Sequence, residues 1–155
     1  MLWNRKGSGK ITNRLPFSIG VDIVSIERIE RAFTRHPSFA SRILTDSELS
    51  GMVGRRSDGE DGPWAIRRNV EFLAARFAVK EAASKSLKIN LFSVSFHDFV
   101  VAKHPIGYPT LSVSEVIQDR FSDVGELSFE VSISHERSYA IAVVNSFVTN
   151  KEDII

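Results

Sequence analysis

Glu71-Phe72-Leu73-Ala74-Ala75-Arg76-Phe77-Ala78-Val79-Lys80-Glu81-Ala82-Ala83-Ser84-Lys85-Ser86-Leu87-Lys88 is the stretch on which the fold turns. It holds five alanines and neither glycine nor proline, so its composition favours a helix throughout. Phe72, Phe77, Ala78 and Ala82 give that helix a broad apolar stripe, which needs a surface to cover it. The flanking sequence supplies strands for the purpose. Upstream, Phe17 to Val24 alternates, with Phe17, Ile19, Val21 and Ile23 on one face and Ser18, Gly20 and Asp22 on the other. Asp22, at the strand's end, therefore points away from the apolar row.

Working outward, Ser25 reads as the N-cap of a helix running to about Arg35, with Ile26, Ile29, Ala32 and Phe33 inward. His36-Pro37 ends it, and a short helical segment with Phe39, Ile43 and Leu44 follows. Thr45-Asp46-Ser47-Glu48 has the spacing of a capping box and opens a further turn. Gly51 to Asn69, with four glycines and Pro63, reads mostly as loop. Beyond the long helix, Val94 to Ala102 and Pro109 to Val113 read as strands separated by a turn over His104 to Gly107. Ser114 is placed to cap a short helix from Glu115 to Phe121. Phe129 to His135 and Ser138 to Phe147 form a hairpin around Glu136-Arg137. The order β-α-α-β-β-α-β-β lacks regular βαβ repetition, which predicts an α+β fold with a mainly antiparallel sheet packed against the long helix.

A chain of 155 residues with 43% hydrophobic and 25% charged residues is one ordinary globular domain, here expected over residues 17–148. Residues 1–16 carry Arg5, Lys6, Lys10 and Arg14 without an acid and read as a basic, flexible extension; residues 149–155 form a tail. The extension lacks the apolar stretch of a signal peptide, and no run reaches the ~18 apolar residues that span a bilayer. No cysteine is present, which excludes disulfides, zinc–thiolate sites and thiol catalysis and suits a cytoplasmic protein.

Few side chains invite a chemical reading. Glu81 and Lys85, four apart, share a helix face, and Ser84 lies beside them. An exposed ion pair explains them as well as a ligand cleft does. Asp22 alone reads equally as a strand-end acid that caps the next helix. Together, Asp22 and Glu81 could offer hard oxygen ligands to Mg²⁺, which takes one or two carboxylates and fills its shell with water and phosphate oxygens. His135 ends the run Ser132-Ile133-Ser134-His135, either as a core-edge histidine or as a donor to phosphate. Phosphate-binding loops, dinucleotide fingerprints and nucleophile elbows are absent from the sequence.

Several blocks, taken in order, say more. Ile19-Gly20-Val21-Asp22-Ile23-Val24, Glu27-Arg28-Ile29, Arg42-Ile43-Leu44-Thr45, Phe72 to Lys85, and Val131-Ser132-Ile133-Ser134-His135 with Tyr139-Ala140 resemble the holo-acyl-carrier-protein synthase family of small 4'-phosphopantetheinyl transferases. The resemblance runs from about Phe17 to Val144. It implies transfer of the phosphopantetheine arm of coenzyme A to a serine of apo-acyl carrier protein, in support of fatty acid biosynthesis. It implies that Asp22 and Glu81 bind Mg²⁺ at the pyrophosphate, and that Lys85 sits on the same phosphates. Arg76, Pro109 and His135 match positions lining the coenzyme A site, while Arg28 and Arg42 match basic positions that meet the carrier protein. It leaves the general base open between a carboxylate and a metal-bound water. A homotrimer with active sites between subunits is implied too, with neither nucleic acid nor membrane as a partner.

The chain departs from the family pattern in three places. Ser86-Leu87-Lys88-Ile89-Asn90 stands where the family turns through glycines. Tyr108 precedes Pro109 where lysine is common, and the N-terminal extension and the Gly51–Asn69 segment are longer than a minimal member needs. Two rival functions follow from these departures. A binding module that kept the scaffold would hold coenzyme A without transferring its arm. A nucleic-acid binder working through residues 1–16 would show steeply salt-dependent binding.

Overall fold

The computed structural model describes residues 17–36, 38–52 and 63–149. Expectations for residues 1–16 and 150–155, and for the middle of the Gly51–Asn69 segment, lie outside the described residues. Strand β1 (Phe17–Ser25) leads into α1 (Ile26–Arg35), whose N-cap Ser25 accepts from the Arg28 amide at 3.3 Å. Helices α2 (Phe39–Ile43) and α3 (Asp46–Leu49) are short. Thr45 caps α3 in the expected reciprocal box: its own amide donates to Glu48 Oε2 at 2.8 Å.

Helix α4 spans Pro63–Ser86, eight residues longer at its start than the sequence implied. Residues 63–69 are therefore helix and not loop. Pro63 at the first helical position costs no hydrogen bond, since that amide has no intrahelical acceptor. Strands β2 (Phe99–Lys103) and β3 (Pro109–Val113) form a separate antiparallel pair. The strand expected from Val94 begins only at Phe99, because Ser95 and Asp98 close a capping box over a 3-10 turn at Phe96–Asp98. Helix α5 (Glu115–Arg120) follows, though the Ser114 hydroxyl donates to Asp98 Oδ1 at 2.7 Å and makes no cap. Strands β4 (Glu126–His135) and β5 (Tyr139–Thr149) form the hairpin around Glu136-Arg137.

The main sheet has the order β1-β5-β4, antiparallel throughout, and α4 lies across its inner face. The α+β class holds. The two faces of β1 divide as the alternation predicts, and it is the small and polar one that meets α4. Asp22 pairs with Ala142 and Gly20 with Val144, both fully buried beneath α4, so Ser18, Gly20, Asp22 and Val24 form the inner row. Ile19, Val21 and Ile23 face outward at 64%, 46% and 63% exposure. Size decides this. A methyl at Gly20 would collide with the Ala82 carbonyl oxygen and stand 2.7 Å from the Ser86 amide nitrogen, so the helix approaches the strand along its smallest residues. Ala74, Ala78, Ala82 and Ala83 of α4 are completely buried. Among the described residues no helix is long and apolar enough to cross a membrane.

Candidate functional site

Because Asp22 lies on the inner row, it meets α4. Lys85 Nζ donates to Asp22 Oδ1 at 2.8 Å and to the Val21 carbonyl at 3.1 Å. Glu81, one turn earlier on the same helix face, is half-buried. Burial and then the charge of Asp22 raise its pKa above the usual carboxylate value, while Lys85 and Arg28 pull it back. Two acids are thus crowded closely enough to oppose each other's ionisation, with one ammonium as counter-charge. That donor set fits a small hard cation: it offers two carboxylates, and a cation there would replace the attraction Lys85 now supplies. Among the described residues no three metal-ligating side chains converge, so the remaining ligands would be water or substrate oxygens.

Arg76 and His135 lie elsewhere. With Gly51, Arg68, Asn69, Glu71, Phe72, Ala75 and Ile133 they line an open cavity of about 380 Å³ between α4 and β4. The Arg76 guanidinium carbon lies over the Phe72 ring, 3.2 Å from its centroid, and its buried Nε finds no acceptor among the described residues. Burial lowers its pKa to about 10, so it stays cationic at neutral pH. The acid in this cavity, Glu71, is already paired with Arg67, whose Nη2 also donates to the Arg137 carbonyl at 2.6 Å. Arg68, Arg76 and His135 therefore leave a cavity suited to an anion. Arg68 fell in the segment read as loop and was missed; its spacing of eight from Arg76 on one helix face was the available signal.

The expected residues thus fall into two groups. Arg76 precedes Lys85 by nine residues, about half a revolution and ~13 Å along α4. Asp22 is on the β1 edge of the sheet and His135 on the β4 edge, with β5 between. Arg28, exposed on α1, belongs electrostatically with the first group, since its charge is felt at Glu81. Arg42 is exposed in the last turn of α2. Pro109 opens β3 opposite Lys103 and is joined to neither group by a described contact. Just before it, Tyr108 stacks on His104 with centroids 4.3 Å apart.

The turn after Lys85 forms without glycine. The Ile89 amide reaches the Ser84 carbonyl at 3.0 Å and the Lys88 amide the Lys85 carbonyl at 3.1 Å, which is the double bond of a Schellman cap. Lys88 takes the left-handed position, φ 56°, that a glycine would fill without strain. Sequence reading also missed a buried pair, Lys80–Glu48, with nitrogen and oxygen 2.7 Å apart and both side chains shut off from solvent. A lysine inside the apolar stripe was its signal.

A long helix presents an acid and an ammonium to a carboxylate at a sheet edge, with an anion-suited cavity on its other flank, in a small α+β protein. A family model described as the 4'-phosphopantetheinyl transferase superfamily matches residues 18–144. The holo-[acyl-carrier-protein] synthase of Vibrio cholerae serotype O1 is 41% identical over 128 residues, covering 81% of this chain and 93% of that protein. The chain belongs to the holo-[acyl-carrier-protein] synthase family of that superfamily. Two solved structures agree. The Helicobacter pylori holo-[acyl-carrier-protein] synthase in complex with coenzyme A is 36% identical, with a TM-score of 0.64 over 81% of this chain and 96% of that one. The Bacillus anthracis enzyme in complex with CoA (3',5'-ADP) is 32% identical, with a TM-score of 0.64 over 85% and 96%.

Proposed function

We infer that this chain transfers the 4'-phosphopantetheine group of coenzyme A to a serine of apo-acyl carrier protein, giving holo-acyl carrier protein and adenosine 3',5'-bisphosphate in support of fatty acid biosynthesis. The observation that carries the reading is the meeting of Asp22, Glu81 and Lys85 across the α4–β1 seam, in a chain that matches such synthases over most of its length.

In this reading Asp22 and Glu81 hold Mg²⁺, and Lys85, released from Asp22, turns to the pyrophosphate as a point charge. The bound ion would stabilise charge that builds on the pyrophosphate oxygens during in-line displacement. Arg76 and His135 grip a further phosphate of coenzyme A; the unpartnered Nε of Arg76 supports this assignment. Pro109 lines the same substrate. Arg28, beside Glu81, and Arg42 dock the acidic carrier protein and bring its serine to the metal. The reaction is cytoplasmic.

Because the two groups sit on opposite flanks of α4, the working site is proposed to form between subunits of a homotrimer, with Asp22, Glu81 and Lys85 from one chain and Arg76 and His135 from the next. The outward row of Ile19, Val21 and Ile23, continued by Ile141 and Tyr139, supports an interface there. So does Asn145 on the same face, whose Oδ1 is covered but has no partner among the described residues.

The direct test is mass spectrometry of an apo-acyl carrier protein incubated with this chain, coenzyme A and Mg²⁺. The expected result is a gain of about 340 Da, the mass of the transferred arm. Tight coenzyme A binding without that gain would instead favour the non-catalytic module.

A further inference from the structure

Lys80 and Glu48 form a fully buried ion pair that the transfer reaction as described does not use. The Lys80 ammonium donates to Glu48 Oε2 at 2.7 Å and to the Ile43 carbonyl at 2.6 Å. The Thr45 amide and hydroxyl also donate to Glu48 Oε2, at 2.8 and 3.0 Å, and the Val101 amide to Oε1 at 3.1 Å. The carboxylate thereby ties α4 to the start of α3 and the middle of β2, and the ammonium adds the end of α2.

Stability alone is a poor reason to keep such a pair. Stripping water from two charges costs several kcal/mol per ion, and well-packed apolar residues of similar volume often stabilise as much or more. What an apolar pair lacks is direction. That lack matters here because α4 meets β1 through the small residues Gly20 and Ala82, and Ala74, Ala78 and Ala83 are buried too. A row of alanines has shallow ridges, so that row by itself resists rotation of the helix less than bulkier side chains would. Lys80 is the residue before Glu81, and successive side chains diverge by about 100° around a helix. Anchoring Lys80 on Glu48 therefore sets the direction in which Glu81 and, one turn on, Lys85 emerge towards Asp22. Arg76 lies one turn before Lys80, and the charge of Glu48 reaches it as well.

We propose that Glu48 and Lys80 are positioning residues for the transfer: their buried pair fixes the rotation of α4 that places Glu81 and Lys85 against Asp22. This rests on the function inferred above. A displacement near 1 Å at a site built for in-line transfer lowers turnover by about a hundredfold.

The test compares three proteins: the parent, the double variant Glu48→Met with Lys80→Met, and Glu48→Asp. Each is assayed well below its Tm with Mg²⁺, coenzyme A and apo-acyl carrier protein. The double variant removes both buried charges together. Glu48→Asp keeps both charges but shortens the arm by one methylene. The expected result is a folded protein in which kcat falls about 10- to 100-fold, with KM for coenzyme A changed by less than about threefold. Mn²⁺ bound in the presence of coenzyme A, followed by water-proton relaxation, should be held several-fold more weakly. Folded variants with parental kcat and Mn²⁺ affinity would overturn the proposal and leave a structural pair. If only the double variant fails to fold, Glu48→Asp decides; if neither folds, the pair is a requirement of the fold and the positioning role is overturned. A parent that itself transfers nothing would show that the functional reading had failed.

Discussion

Glu81 is held in a site that disfavours its charge, and this has a measurable cost. Its pKa is raised above 4.5 by burial and by Asp22. Above that unfolded value the folded chain holds this proton more often than the unfolded chain, so stability falls as pH rises through the window up to the raised folded value. Below the unfolded value the two states bind the proton alike and the penalty vanishes; at neutral pH it is fully present. Glu81→Gln is therefore expected to melt above the parent at pH 7 and level with it near pH ~4, by calorimetry without divalent ions. The same variant should lose turnover by orders of magnitude, because an amide is a far weaker ligand for a hard cation. Lys88 is the second residue with a local cost. Its left-handed backbone supports the cap that ends α4, and Lys88→Gly is expected to raise stability by about 0.5–1 kcal/mol in urea unfolding. No gain there would mean that the cap is already relaxed with lysine in place.

Among the elements, the seam between β1 and α4 is the most exacting. Gly20→Ala puts a methyl against backbone atoms of Ala82 and Ser86, which cannot fold aside as a side chain could. Overpacking of that kind costs about 1–3 kcal/mol, and here it also pushes the element bearing Glu81 and Lys85 away from the one bearing Asp22. A lower Tm with a disproportionate loss of kcat is expected; a loss of Tm alone would separate the seam from the site. The elements were legible to unequal degrees. Ser25, Thr45 and the alanines announced their helices because caps and propensity act over a few neighbours. The start of α4 at Pro63 and the late start of β2 at Phe99 were not legible. In the first case a stretch of mixed charge is held helical by tertiary contacts, with Ala65 and Val70 buried and Arg67 bonded to the Arg137 carbonyl; in the second, Asp98 competes for backbone donors that a strand would have used.

For the whole molecule, the outward apolar row of β1 and the split site make one joint prediction. Val21→Lys, on the face away from α4, is expected to reduce sedimenting mass and transfer together, with the far-ultraviolet circular dichroism unchanged. Mixing Glu81→Gln chains with His135→Ala chains after dissociation should restore activity to about a quarter of the sites, by random assortment around a closed ring. No restoration would place both residues in the same chain's site. The sequence by itself determined the α+β class, the helix that carries Arg76, Glu81 and Lys85, the strand that carries Asp22, and the family, because periodicity, capping and motif spacing are local properties of the chain. It did not determine which side of β1 is buried. Ile19, Val21 and Ile23 are left exposed while Gly20 and Asp22 face α4, because close packing against an alanine helix is decided by volume at a particular contact. The tertiary structure alone brought Asp22 to Lys85, sent Arg76 and His135 to the opposite flank, and closed Glu48 on Lys80. Each of these joins residues far apart in the chain, and no local pattern encodes their distance.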